Sequence, residues 1–325
     1  MDLIPLSTVT ATLGVQVDPE PIQADAQFRD ARFIATDSVG GLACLWGTGR
    51  LNAAALASRV YVAVVPDAAA DWERYAPVVQ TDSSGSSNTE IVCDPLGSGA
   101  AQSHACTATM LVGAAWVETR LSGVGTGEGL TGQQAECRVD ELLAALAASL
   151  TPVAASPREI WTGVAGTQAL PAACDEMVSS DAATDVLDLG TEISVTDDQD
   201  RWYLLESSAA AAAGTLRCSF MLAQTENGVS AGTLIAARGG AWGYDLVRRY
   251  VAAEGPLETV SIDGIPRENA FIVCSEDDSC EVNLSVRGNW IQLTVWQTDE
   301  HPLTAADMRD RSIALAATVV GNLRA

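Results

Sequence analysis

The sequence predicts an α+β protein of two tandem repeats, each an antiparallel sheet with helices packed mainly on one face, and three observations carry that prediction. The first is a fixed spacing: Cys44 and Cys218 (218 − 44 = 174), Cys106 and Cys280, and Trp116 and Trp290 all stand 174 residues apart. The second is agreement around those anchors. Leu42-Ala43-Cys44-Leu45-Trp46 lies over Leu216-Arg217-Cys218-Ser219-Phe220, and Met110-Leu111-Val112 over Leu284-Ser285-Val286. The third is the alternation of apolar and polar side chains through Glu281 to Trp296, the period of a strand. The 325 residues accommodate a first repeat over 1–150, a linker over 151–168 marked by Pro152 and Pro157, and a second repeat over 169–325.

Each repeat opens on a short helix, Pro5 to Leu13 and Ser179 to Leu187, followed by a polar connection. Runs rich in Val, Tyr, Trp and Thr then read as strands: Leu42 to Trp46, Val60 to Val65, Glu90 to Cys93 and Cys106 to Leu121. Their counterparts are Thr215 to Ala223, Thr233 to Ala237, Phe271 to Cys274 and Cys280 to Trp296. In the last of these Val282, Leu284, Val286, Ile291, Leu293 and Val295 face a core, while Asn283, Ser285, Gln292 and Thr294 face water. A helix interrupts the strands at Ala68 to Val78 and Ala241 to Ala253. A longer one closes each repeat, with Leu142, Leu143, Leu146 and Leu150 on one stripe and Ile313, Leu315, Val319 and Leu323 on the other.

Composition narrows the chemistry. All 18 basic residues are Arg, so mechanisms needing a lysine of the chain's own are excluded: Schiff-base chemistry, a P-loop lysine, a Ser-Lys dyad. A formal charge of −24 argues against nucleic acid, whose phosphates require a basic face. The charge is shared, with 17 acidic and 7 basic residues before position 151 and 25 and 11 after it. No apolar run approaches the ~20 residues of a membrane span.

Eight dispersed cysteines, none in a Cys-x-x-Cys pair, read as disulfides and hence an oxidising compartment. Cys93 and Cys106, like Cys274 and Cys280, flank a short polar tip and staple a hairpin. Cys174 is left for Cys218. Cys44 then pairs with Cys137, or with a cysteine upstream of Met1, since the opening Met-Asp-Leu-Ile-Pro has no signal-peptide pattern and further sequence is expected to precede it.

Motifs with chemical meaning are few. Gly127-Glu128-Gly129-Leu130-Thr131-Gly132 matches a dinucleotide fingerprint, but Glu128 stands where pyrophosphate would sit and no parallel strand follows, so it reads as a connection. Gly228-Val229-Ser230-Ala231-Gly232 matches a nucleophile elbow, with Asp263 and His301 downstream; lying between strands, it reads as a hairpin turn. His104 beside Cys106 reads as a surface histidine near a disulfide. Asp197-Asp198-Gln199-Asp200 and Glu276-Asp277-Asp278 offer oxygen ligands for Ca²⁺ without EF-hand spacing. Trp72 and Trp242, on the middle helices, are candidate binding aromatics if exposed, and core residues otherwise.

The helix opening Leu170-Pro171-Ala172-Ala173-Cys174-Asp175, the strand Gly40-Gly41-Leu42-Ala43-Cys44-Leu45-Trp46, the hairpin cysteines and the closing helix resemble actinobacterial exported lipoproteins and related cell-envelope proteins, whose domains are similar to the PsbP-like α/β sandwich. The resemblance implies an extracytoplasmic, mostly non-enzymatic module and carries over no functional residue. The expectation is therefore an exported, non-enzymatic two-domain protein that binds an envelope partner or ligand, with no cofactor and no catalytic residue. The competing expectations are a serine hydrolase using Ser230 and His301, and a calcium-stabilised adhesion module.

Overall fold

A computed structural model describes residues 3–22, 29–48, 58–79, 89–97, 102–154, 166–197, 204–223, 228–275, 278–299 and 301–324. The chain forms two compact units, Met1–Phe28 with Thr36–Trp161, and Arg29–Ala35 with Thr162–Ala325. The short segment Arg29–Ala35 thus leaves the first repeat and packs as part of the second. Most of the expected linker, 155–165, lies outside the described residues; its first residues, Thr151–Ala154, are still helical.

The first unit runs α1 (Leu6–Leu13), β1 (Asp18–Glu20), α2 (Phe33–Ser38, whose first three residues go with the second unit), β2 (Leu42–Gly47), β3 (Arg59–Val65), α3 (Ala69–Val79), β4 (Thr89–Leu96), β5 (Ser103–Val112), β6 (Ala115–Val124) and α4 (Gly132–Ala154). The second runs α5 (Cys174–Met177), α6 (Ser180–Leu187), β7 (Ile193–Asp197), α7 (Leu204–Ala212), β8 (Leu216–Leu222), β9 (Ser230–Ala237), α8 (Ala241–Glu254), β10 (Glu258–Thr259), β11 (Ala270–Cys274), β12 (Ser279–Val286), β13 (Asn289–Trp296) and α9 (Ala305–Asn322). Both sheets are antiparallel throughout. Their orders are β1-β2-β3-β6-β5-β4 and, read in the same sense, β7-β8-β9-β13-β12-β11-β10, so the second repeats the first and adds one edge strand. Register follows the sequence spacing: Cys106 stands opposite Leu121 and Cys280 opposite Val295, each 174 residues on.

Alternation along the strands builds the larger core of each unit on one sheet face. In the first, Val62, Cys106, Ala108, Met110, Val117 and Leu121 meet Val9 and Leu13 of α1 and Leu142 and Leu146 of α4. In the second, Leu234, Val282, Leu284, Ile291 and Leu293 meet Met177, Leu187, Leu315 and Val319. Thr304 caps α9 by a reciprocal box with Asp307, whose carboxyl its hydrogen bonds hold below the usual range. The hairpin turns follow the chain's twist: Arg287 and Gly288 both have positive φ (47° and 85°) between β12 and β13, and Gly113 (61°) opens the turn between β5 and β6.

Three disulfides close these layers. Cys93–Cys106 and Cys274–Cys280 join directly opposed residues of neighbouring strands, with Cα–Cα distances of 4.2 and 4.1 Å, and Cys174–Cys218 ties α5 to β8 at 5.6 Å. The expected pairing of Cys44 with Cys137 is not formed; both are thiols. The helical repeat explains it. Ala135, Val139, Leu142 and Leu146 turn α4 toward the sheet, which places Cys137 on its exposed side, whereas Cys44 points into the core. Burial pushes the Cys44 thiol up to about 11.

The second faces differ from expectation. Asn283 and Gln292, expected in water, are 0% and 3% exposed. That face is covered by α8 and by Arg29–Ala35: Ala31, Ile34, Tyr244, Val247, Phe271 and Trp290 form a smaller core there. Gly243 is small because a Cβ would stand 2.8 Å from Ile34 and 3.1 Å from the Trp290 ring.

Candidate functional site

The polar half of this second face is wired together in the second unit. Register places Glu281 opposite Thr294 and Val273, and Asn283 opposite Gln292 and Phe271. The indole N–H of Trp290 donates to Asn283 Oδ1 (2.9 Å), and Asn283 Nδ2 donates to Glu281 Oε1 (2.7 Å). Gln292 grips the backbone of the covering segment at two points, accepting from the Ala31 N–H (2.9 Å) and donating to the Arg29 carbonyl (3.3 Å). Arg29 forms two hydrogen bonds of 2.6 Å with the Glu254 carboxylate at the end of α8. Loss of water pushes the Glu281 carboxyl up, against hydrogen bonds from Asn283 and Gln292; Asp30 adds to the rise and Arg29 opposes it.

The first unit has a related arrangement at equivalent positions. Trp116 donates to Thr109 Oγ1 (2.7 Å), as Trp290 does to Asn283. Glu118, at the position of Gln292, is buried and holds Arg120 (2.7 Å), whose guanidinium lies 5.3 Å from the Tyr61 ring centre. Sequence reasoning missed both sets because polar residues alternating along a strand read as a wet face. The signal available was the 174-residue recurrence of a tryptophan seven positions after a hydrogen-bonding side chain.

The residues singled out from sequence are dispersed. Ser230 opens β9, and its hydroxyl donates to the Gly232 carbonyl oxygen (2.8 Å); a strand, not a helix, follows it. Asp263 is exposed on the connection between β10 and β11, and the His301 N–H turns back on Thr298. The glycines of that motif have structural reasons. Gly228 has φ of 62°, and a Cβ on Gly232 would stand 2.4 Å from the Thr294 carbonyl oxygen. Gly232→Ala is therefore expected to destabilise the second unit by about 1–3 kcal/mol, measured by denaturant unfolding of the full chain, because backbone and not a flexible side chain must give way.

Gly127 and Gly129 supply positive φ in the turn before α4, and Glu128 between them is held by Arg138, which also donates to the Ala11 carbonyl (3.2 Å). His104 is not on the surface as expected: it is 3% exposed, at a bulge in β5. Trp72 is 5% exposed and stacks edge-on against Trp116, with ring centres 5.8 Å apart, so it offers no binding face; Trp242 is half-buried against the smaller core of the second unit. Asp198 to Asp200 and Glu276 to Asp277 of the acidic clusters lie outside the described residues. Among the described residues no group of three or more His, Cys, Asp or Glu is placed to hold a metal ion, and no helix is long and apolar enough to cross a membrane.

One surface stands out by charge. Asp175 and Glu176 on α5, Asp181 and Asp185 on α6, Asp188, Glu192 and Asp197 at the end of β7 are all exposed, and no basic residue occurs between 166 and 197. The helices present them because their other sides, with Met177, Ala183 and Leu187, are buried in the core.

No protein-family model and no curated protein matches the chain. Among solved structures it is similar to the di-domain ARO/CYC StfQ of the steffimycin biosynthetic pathway, at 10% identity over 95% of each chain with a TM-score of 0.17. It is also similar to DynU16 of the dynemicin biosynthetic locus, at 11% identity over 95% of each chain with a TM-score of 0.15. Likenesses of that size carry no argument about fold or activity.

Proposed function

We propose that the chain is an exported, non-enzymatic, two-domain interaction protein of the cell envelope, and that its acidic α5–α6–β7 surface receives a cationic partner. The observation that carries this reading is the set of three disulfides, one hairpin staple in each repeat and a helix-to-strand bond in the second. Such bonds persist in oxidising, extracytoplasmic surroundings and are rare where thiols are kept reduced. Seven exposed carboxylates over 166–197, a stretch with no basic residue of its own, speed encounter with a positively charged surface and make binding sensitive to salt.

The compartment is tested by alkylating the protein in freshly opened cells of its own host. With one exposed and one buried thiol among eight cysteines, one label is expected on the native protein, two after denaturation and eight only after reduction. Eight labels without reductant would place the chain in a reducing compartment and remove the proposal. The partner is tested by chemical cross-linking on intact cells with the wild type and with Asp181→Arg/Asp185→Arg. The cross-linked species is expected to weaken in the variant and at high salt; equal yield from both proteins counts against the acidic surface.

A further inference from the structure

The two sheets differ at one edge. In the second unit β10 covers β11: Glu258 stands opposite Ile272, and the Val260 N–H donates to the Ala270 carbonyl (3.2 Å). In the first unit β4 is the last strand of its sheet and pairs, among the described residues, only with β5. Chain length accounts for the difference. Val65 and Ala237 stand opposite Trp116 and Trp290, yet Ile91 follows Val65 by 26 residues (91 − 65) and Ile272 follows Ala237 by 35 (272 − 237). The longer stretch is the one that holds β10. Both edges turn the same backbone groups outward. Opposed residues with Cα atoms 4.2 and 4.1 Å apart, as at Cys93–Cys106 and Cys274–Cys280, are pairs without ladder hydrogen bonds, so alternate residues from each cysteine aim N–H and C=O away from the neighbouring strand. On β11 these are Ala270 and Ile272, which β10 meets; on β4 they are Thr89 and Ile91. Pro95 falls in the same set, where its missing N–H costs the β4–β5 ladder nothing.

We propose that this edge of β4 receives an extended, basic segment of a partner protein as a further antiparallel strand, joined at Thr89 and Ile91. Backbone pairing of this kind supplies affinity, and the side chains beside it supply choice. The charge of the segment follows from α4. Helices α4 and α9 bury matching residues 173 positions apart: Ala135 with Met308, Leu142 with Leu315, Leu146 with Val319. On that match Glu136 stands where α9 carries Arg309, and Arg309 Nε donates to Glu258 Oε1 of β10 (2.9 Å). A strand seated on β4 therefore meets a carboxylate at the place where β10 meets a guanidinium. The Glu136 side chain has no ion pair among the described residues, and Asp94, exposed on β4 itself, adds to the same field. A second copy's β4 would set these carboxylates against their own kind, which favours a cationic partner over self-pairing. Val92, 45% exposed on the opposite face of the strand, offers the adjoining residue of the segment an apolar contact. The site belongs to the first unit and depends neither on the compartment nor on the α5–α6–β7 surface.

Amide-resolved hydrogen exchange of the full, oxidised chain tests the edge with two capped heptapeptides of alternating Val and Thr, one with a central Arg and one with a central Glu. In the free protein the Ile91 amide is expected to exchange roughly tenfold or more faster than that of Val92, which β5 pairs. At millimolar concentration the Arg peptide is expected to slow Ile91 by about tenfold, the Glu peptide to do so less, and Glu136→Arg to reverse that preference. Methylating alternate amide nitrogens of the Arg peptide, on the side turned to β4, removes its donors and should abolish the protection. An Ile91 amide already protected in the free protein overturns the proposal, because the edge would then be filled. So does unchanged exchange with the Arg peptide, or equal protection by its methylated form, which would mean contact through charge alone. A preference that Glu136→Arg leaves as it was overturns the basic segment as the occupant.

Discussion

Replacing Cys174 and Cys218 together by alanine is expected to destabilise the second unit by about 4 kcal/mol, the largest effect of any disulfide in the chain. The bond closes a loop of 44 residues, against 13 for Cys93–Cys106 and 6 for Cys274–Cys280. Loop-closure entropy grows with the logarithm of that length, which gives roughly 3 and 2 kcal/mol for the two hairpin staples. Hairpin strands are already paired by their backbone ladder, so a bond between opposed residues restrains little that the native pairing does not. The Cys174–Cys218 bond instead holds α5, a helix of four residues too short to persist alone, against β8. Guanidinium unfolding of the full chain, with hydrogen exchange assigning each transition to a unit, measures the three double variants. An order in which either hairpin pair exceeds Cys174–Cys218 would show that native strain or residual structure, and not loop length, sets their contribution.

The same comparison shows what the sequence could and could not disclose. The 174-residue spacing located both sheets, and the short polar tips between Cys93 and Cys106 and between Cys274 and Cys280 located the two hairpin disulfides, leaving Cys174 for Cys218. It does not disclose β1, β7, α2 and α7, whose residues read in sequence as polar connections. Leu204–Ala212 is helical through a run of alanines, which favours a helix by propensity but carries no stripe of large residues to give it away. The covered second face was equally hidden. Asn283 and Gln292 alternate as a wet face would, and the arrival of α8 and of Arg29–Ala35, the latter about 260 residues away in sequence, turns them inward. Cys137 misled for a related reason: a leftover cysteine suggests a partner for Cys44, yet one position along a helix rotates a side chain by about 100° and decides whether it can reach.

Trp290→Ala is expected to lower stability by about 3–5 kcal/mol, as for any large ring deleted from a closed core. Trp290 is 0% exposed and packs with Ile34, Tyr244, Val247 and Phe271. The sharper test is Trp290→Phe set against Trp116→Phe. Both substitutions keep an aromatic ring and remove an indole N–H, but the acceptors differ. Asn283 Oδ1 is buried and loses its donor, a penalty of about 1–3 kcal/mol, while its amide remains committed to Glu281. Thr109 retains its own hydrogen bond to the Val117 carbonyl (3.2 Å), and a hydroxyl can turn to suit. Trp290→Phe should therefore be the more damaging of the two in thermal or denaturant unfolding. Equal losses would mean that the two tryptophans are interchangeable as packing residues, and that the buried Asn283 acceptor is no worse off for losing its donor than the Thr109 hydroxyl is.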